Sequence, residues 1–199
     1  MSQWLFKNFA NFITVFGVIT TILFLIVGIS YPNMLWLLLI LGILTSLSDF
    51  FDGNIARRFS ITLFGTALDR LRDKFFVCSA LALLFWQYWP TDKSIIITIF
   101  TELLVILVIS FELLINSTWL YALIKKLDAT TSKDGKIKVT CEFFAIAIWL
   151  TSLNIDKYCI ADTLSISIFF IDLLLIVSFY FQVRSFGYYY LKYSRNNKQ

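Results

Sequence analysis

The sequence predicts an all-α integral membrane protein, a bundle of six transmembrane helices with both termini in the cytoplasm. Three observations carry that expectation. First, hydrophobic residues fill 59% of the 199 positions, charged residues only 15%, and the mean hydropathy is +0.79. A water-soluble domain needs about a quarter charged residues to cover its surface, and a disordered chain holds far less apolar material. Second, the apolar residues are gathered in long unbroken runs. Alternating segments of about ten would mark a lipid-spanning barrel; unbroken runs leave helix, which satisfies every backbone group internally. Third, the basic residues are lopsided. Fifteen of the 17 Lys and Arg fall on one side of the runs, and only Lys93 and Lys157 fall on the other. The positive-inside rule places the richer side in the cytoplasm.

Taken in order, the first run is Phe12 to Ser30 and the second Asn33 to Leu47. The third is Phe75 to Trp89, the fourth Ser94 to Leu120, the fifth Val139 to Leu153 and the sixth Thr163 to Val183. A bilayer core takes about twenty helical residues. The second, third and fifth runs are shorter, so their helices must continue into polar flanks to cross. The first run is long and lacks a small-residue cleavage site, so it reads as a span and not as a removed leader. Pro32 and Pro90 punctuate short turns after the first and third runs. No internal repeat or linker interrupts the chain, so residues 1–199 read as one membrane-embedded domain. The tyrosines Tyr188, Tyr189, Tyr190 and Tyr193 suit an interfacial anchor.

Composition also excludes chemistry. Histidine is absent, which removes His-based acid–base catalysis, His-dependent triads and His-ligated zinc or haem. Cys78, Cys141 and Cys159 are far apart and form no CxxC pair, so they read as small packing residues. The net charge of +4 fits anionic lipid head groups; nucleic acid is not an expected partner.

Acidic residues are scarce, so their clustering is informative. Asp49 and Asp52 stand three apart at the end of the second run, and Asp69 and Asp73 four apart before the third. Each spacing puts two carboxylates on one helical face. Two antiparallel neighbours would aim all four at one point, and four anions there repel unless protons or cations compensate. Oxygen ligands without His or Cys favour hard divalent ions, Mg²⁺ or Mn²⁺. Two such ions sharing carboxylates suit phosphoryl chemistry. The bland alternative is solvated charge at helix ends. The neighbours argue against it: Gly53 lets backbone approach a ligand, Arg57 can grip a phosphate, and Ala56 and Gly65 leave room.

Written out, the stretch is Asp49-Phe-Phe-Asp52-Gly53-Asn-Ile-Ala56-Arg57, seven residues, then Gly65-Thr-Ala-Leu-Asp69-Arg-Leu-Arg-Asp73. It resembles the DxxDGxxAR…GxxxDxxxD signature of the CDP-alcohol phosphotransferases, with all eight signature residues present. Six spans and cytoplasmic termini suit the same family. The resemblance implies an enzyme that displaces CMP from a CDP-linked alcohol, usually CDP-diacylglycerol, with an acceptor hydroxyl. It implies two divalent cations held by Asp49, Asp52, Asp69 and Asp73, with Asp49 and Asp69 shared and Asp73 also the general base. Gly53, Ala56, Arg57 and Gly65 would line the CDP moiety, with Thr62 offering a hydroxyl. Asn11 and Thr14 resemble an Asn-x-x-Thr patch of the family's first helix, or form a helix cap. Family members commonly form homodimers.

The acceptor is read from two further resemblances. Asp73-Lys74 and Gly135-Lys136-Ile-Lys138-Val-Thr140 resemble phosphatidylglycerophosphate synthases and cardiolipin-synthase relatives, the former most. Lys136 and Lys138 would then bind the phosphate of glycerol 3-phosphate, or else are ordinary juxtamembrane charge. Glu102, Glu112, Glu142 and Asp172 lie within apolar runs and should face the interior, pairing with basic residues or joining helices. Rival acceptors are inositol phosphate, inositol, serine or another phosphatidyl lipid. A divalent-cation transporter and an inactive scaffold are the readings from other classes.

Overall fold

The computed structural model describes the backbone of residues 2–58, 63–89, 94–125, 133–159 and 163–196. It describes the side chains of residues 12–48, 70–89, 94–125, 134–158 and 163–192. Six helices follow one another: α1 (Ser2–Ser30), α2 (Leu35–Arg58), α3 (Leu63–Tyr88), α4 (Ile95–Ile124), α5 (Lys133–Cys159) and α6 (Thr163–Asn196).

Helices α1, α4, α5 and α6 each contain a stretch long and apolar enough to cross a membrane: Phe12–Ser30, Ile95–Ile124, Asp134–Tyr158 and Thr163–Lys192. The chain is therefore a multi-pass, all-α integral membrane protein. Among the described residues four helices meet these criteria, against the six spans expected. Length is not the reason. Helices α2 and α3 have 24 and 26 residues, about 36 Å or more at 1.5 Å per residue, against a hydrocarbon core of about 30 Å. In α2 the stretch whose side chains are described, Leu35–Ser48, is apolar but shorter than a span, and α3 opens its described stretch with Arg70, Arg72, Asp73 and Lys74.

Neighbouring helices alternate in direction. At the end holding the α1–α2 turn, the Tyr88 hydroxyl donates to Gly28 O (3.0 Å), bringing the end of α3 beside the end of α1. There too Asn154 of α5 donates to Leu35 O (3.1 Å), and Lys157 donates to Asn33 O. Asp156 closes the same end by accepting the Thr163 and Leu164 amides at 2.7 and 3.0 Å, which caps α6. Helix α4 is capped by Ser94.

The interior is filled by Phe24, Leu38, Phe76, Leu81, Leu84, Trp149, Leu150, Ile171 and Leu175, all buried. Phe76 is the hub of one aromatic cluster: it meets Phe24 of α1 edge-on and stacks on Phe143 of α5. Outward, the helices present a broad apolar coat that includes Ile19, Ile26, Ile96, Leu103, Ile166 and Phe169. A soluble monomer rarely exposes such contiguous apolar surface; lipid is its solvent. The expected packing role of Cys78 and Cys141 agrees with their half-buried, unbridged thiols.

Candidate functional site

The four aspartates of the signature lie at the end of the bundle opposite the α1–α2 turn. Asp49, Asp52, Gly53, Ala56 and Arg57 occupy the last turns of α2, and Gly65, Asp69 and Asp73 the first turns of α3. Only four residues separate the two helices, so both segments belong to one end of the bundle. The side chains of Asp49, Asp52, Ala56, Arg57 and Asp69 lie outside the described residues, as does Thr62 altogether. Among the described residues there is no group of three or more potential metal ligands, because Asp73 is the one signature aspartate whose side chain is described.

What the described side chains show is how the two segments meet. Gly17 of α1 is the meeting point. A β-carbon there would stand 2.5 Å from Ser48 Oγ of α2 and 2.6 Å from Arg72 Nη1 of α3. Ser48 immediately precedes Asp49, and Arg72 immediately precedes Asp73. The glycine lets three helices close on one point, with a signature segment leading away from each of the other two. One turn before it, Thr14 is buried; Asn11 lies on the same helix, its side chain outside the described residues. One turn after it, the Thr20 hydroxyl lies 3.0 Å from that of Thr45, a polar contact between α1 and α2.

Asp73 is half-buried and engaged. Arg72 donates to its Oδ1 through Nη2 (2.9 Å) and Nε (3.3 Å), and the Arg72 side chain is itself buried. Sequence reasoning gave Arg72 no place in the site. Its only signal is position, next to an aspartate and opposite a small residue on another helix.

A second polar layer lies deeper, across α3, α4, α5 and α6. Glu112 of α4 accepts from Lys74 (2.7 Å) on one oxygen and from Lys138 (2.6 Å) on the other. Glu112 is fully buried and Lys138 nearly so. One turn along α5, Glu142 accepts from Ser178 (2.7 Å) and Gln182 (2.9 Å) of α6 on Oε1. Its Oε2 and the Gln182 Oε1 find no hydrogen-bond partner among the described residues. Two lysines thus face two glutamates in an apolar interior, where an unpaired charge would be costly. Asp172 of α6 is buried as well and accepts from Thr101 (3.0 Å) of α4. The expectation that Glu112, Glu142 and Asp172 face inward holds, while Glu102 is only half-buried.

Lys136 and Lys138 separate. Lys136 is exposed, whereas Lys138 is buried against Glu112. Lys138 is therefore not a loop charge. Helix α5 starts at Lys133, a turn and a half before the apolar run, and that early start turns Lys138 inward.

The fold and these polar layers define a class: a polytopic helical membrane protein with a buried polar layer across α3, α4, α5 and α6. A model of the family described as CDP-alcohol phosphatidyltransferase matches residues 7–183, and the chain belongs to that family. Its general chemistry follows: a phosphatidyl group passes from a CDP-linked lipid to a polar alcohol, CMP leaves, and the product enters lipid biosynthesis. Among similar proteins is a CDP-diacylglycerol–glycerol-3-phosphate 3-phosphatidyltransferase of Rickettsia typhi, 28% identical over 71% of this chain and 75% of that one. Proteins of the same name from Salmonella paratyphi A and Salmonella choleraesuis are 28% and 29% identical, over 80% of this chain and 89% of theirs.

Proposed function

We propose that the chain transfers the phosphatidyl group of CDP-diacylglycerol to glycerol 3-phosphate, forming phosphatidylglycerophosphate and releasing CMP. The observation that carries the acceptor is that relatives matched over most of their length share this one named activity. The intact eight-residue signature supports the chemistry.

In this reading Asp49, Asp52, Asp69 and Asp73 hold two divalent cations, Mg²⁺ or Mn²⁺. The donor set fits hard ions, being oxygen only, and α2 and α3 bring its two halves to one end of the bundle. When bound, the cations neutralise the diphosphate and stabilise departing CMP. Gly53, Ala56, Arg57, Thr62, Gly65, Asn11 and Thr14 line the nucleotide. Asp73 takes the proton of the acceptor hydroxyl as that oxygen attacks the lipid-bearing phosphorus and the bond to CMP breaks. A base must stand within about 3 Å of that proton. Lys136 and Lys138 bind the acceptor's phosphate. An ammonium carries three donors, so Lys138 retains two beyond its bond to Glu112.

The topology completes the reading. All six helices cross, with termini and site on the cytoplasmic face and acyl chains left in lipid. The basic residues flanking the site's end of the bundle support that orientation. Homodimeric assembly belongs to the same reading and is tested by cross-linking in native membranes.

A second reading keeps the chemistry and changes the acceptor. Glu112 already engages both Lys74 and Lys138, which favours an alcohol without a phosphate, such as inositol or serine. Purified protein in detergent, given labelled CDP-diacylglycerol and each alcohol in turn, separates the two. Incorporation from glycerol 3-phosphate supports the first reading; incorporation from another alcohol alone replaces it with the second.

A further inference from the structure

The pair formed by Arg72 and Asp73 is unusual in its geometry. Side chains one apart on a helix point about 100° away from each other and do not ordinarily meet. Here the guanidinium folds back and places Nε and Nη2 on the same oxygen, Asp73 Oδ1. It is held in that pose from the other side. Its Cδ and Nη1 lie over Gly17 of α1, 2.9 and 2.6 Å from where a β-carbon would stand. The Arg72 side chain is only 1% exposed, so α1 closes over it.

We infer that Arg72 is a positioning residue for Asp73, and that Gly17 exists to give its guanidinium room. The inference rests on the reading of Asp73 as the base. Holding Oδ1 with two donors fixes the plane of the carboxyl group. That sets the direction in which the second oxygen meets an acceptor hydroxyl. A carboxylate among three others would otherwise swing away from them, and a buried guanidinium offsets part of their repulsion. Misplacing a reacting group by about an ångström costs on the order of 100-fold in rate. Neither Arg72 nor Gly17 is among the residues proposed to line the nucleotide, so binding of CDP-diacylglycerol should be little changed.

The test uses the full chain in detergent with CDP-diacylglycerol, the best acceptor and Mn²⁺. Arg72→Met should lower kcat about 100-fold while KM for CDP-diacylglycerol stays within about twofold. Arg72→Lys, which keeps one donor able to reach Oδ1, should recover roughly a tenth of the wild-type kcat. Gly17→Ala leaves the arginine in place but takes its space, and should lower kcat at least about tenfold with KM unchanged. Mn²⁺ binding, read by electron paramagnetic resonance, should stay within about twofold in all three. Should Arg72→Met fail to fold, Arg72→Lys and Gly17→Ala decide the matter. Wild-type kcat in Gly17→Ala overturns the inference, as does a rise in KM with kcat unchanged, or loss of Mn²⁺ binding in Arg72→Lys. A wild-type protein inactive with every acceptor would instead strike the proposed function.

Discussion

Lys138 Nζ stands 2.6 Å from Glu112 Oε2, and Lys74 Nζ stands 2.7 Å from the other oxygen of the same carboxylate. One buried anion therefore serves two cations from two other helices. The arrangement ties α3 and α5 to α4 at the level just below the signature aspartates.

The asymmetry of that triad gives a ranking. Glu112→Gln takes away the carboxylate that both inward-facing ammonium groups bond, whereas Lys138→Met leaves Glu112 still paired with Lys74. Removing one partner of a buried pair costs about 3–5 kcal/mol. Glu112→Gln should fall in that range and Lys138→Met well below it. Thermal unfolding of the purified variants in one detergent checks the order, and equal losses would contradict it.

Glu142 allows a second comparison. Its Oε1 is the shared acceptor for the Ser178 hydroxyl and the Gln182 amide. Glu142→Gln keeps a side-chain carbonyl oxygen there and should be tolerated. Glu142→Leu strands two buried donors, at about 1–3 kcal/mol each. The two variants should therefore differ clearly in unfolding temperature, and indistinguishable curves would show that Oε1 does not join α5 to α6.

Asp156 lies at the far end of the bundle and should be separable from activity. It accepts the first amides of α6 and the Thr163 hydroxyl. Asp156→Ala should cost about 0.5–2 kcal/mol of stability through the lost cap. Turnover per folded molecule should be unchanged. A selective loss of turnover with stability intact would place Asp156 in a role its position does not suggest.

Asp73→Asn removes the base and keeps the shape. Transfer should drop by roughly 10²–10⁴ while the protein folds and still binds CDP-diacylglycerol. Single-turnover assays with labelled lipid measure it. Substantial residual turnover would assign the proton to another group.

Much of this was legible in the sequence, and the reason differs by feature. The helices follow from apolar runs, and the expectation that the second and third continue into polar flanks is met by α2 reaching Arg58 and α3 starting at Leu63. Inward-facing acids followed from the penalty for charge in lipid. Partners did not follow. Lys74, Lys138 and Glu112 lie tens of residues apart, and only the packing of three helices says which lysine meets which glutamate. Arg72 was hidden for a related reason. Beside four other basic residues it reads as topology, and only the close approach of α1 at Gly17 distinguishes it. In α3 the charges Arg70, Arg72, Asp73 and Lys74 interrupt the apolar run, and in α2 the apolar stretch among the described residues is Leu35–Ser48.

The central claim is that the ends of α2 and α3 form a metal-dependent centre for phosphatidyl transfer, and CMP release tests it most directly. Purified protein with CDP-diacylglycerol and glycerol 3-phosphate should release one CMP per phospholipid formed when Mg²⁺ or Mn²⁺ is supplied. Chelation should stop it, and Asp69→Asn should not restore it at any metal concentration. A well-folded wild-type sample that releases no CMP with any divalent ion and any alcohol, or that releases it equally in chelator, would contradict the account.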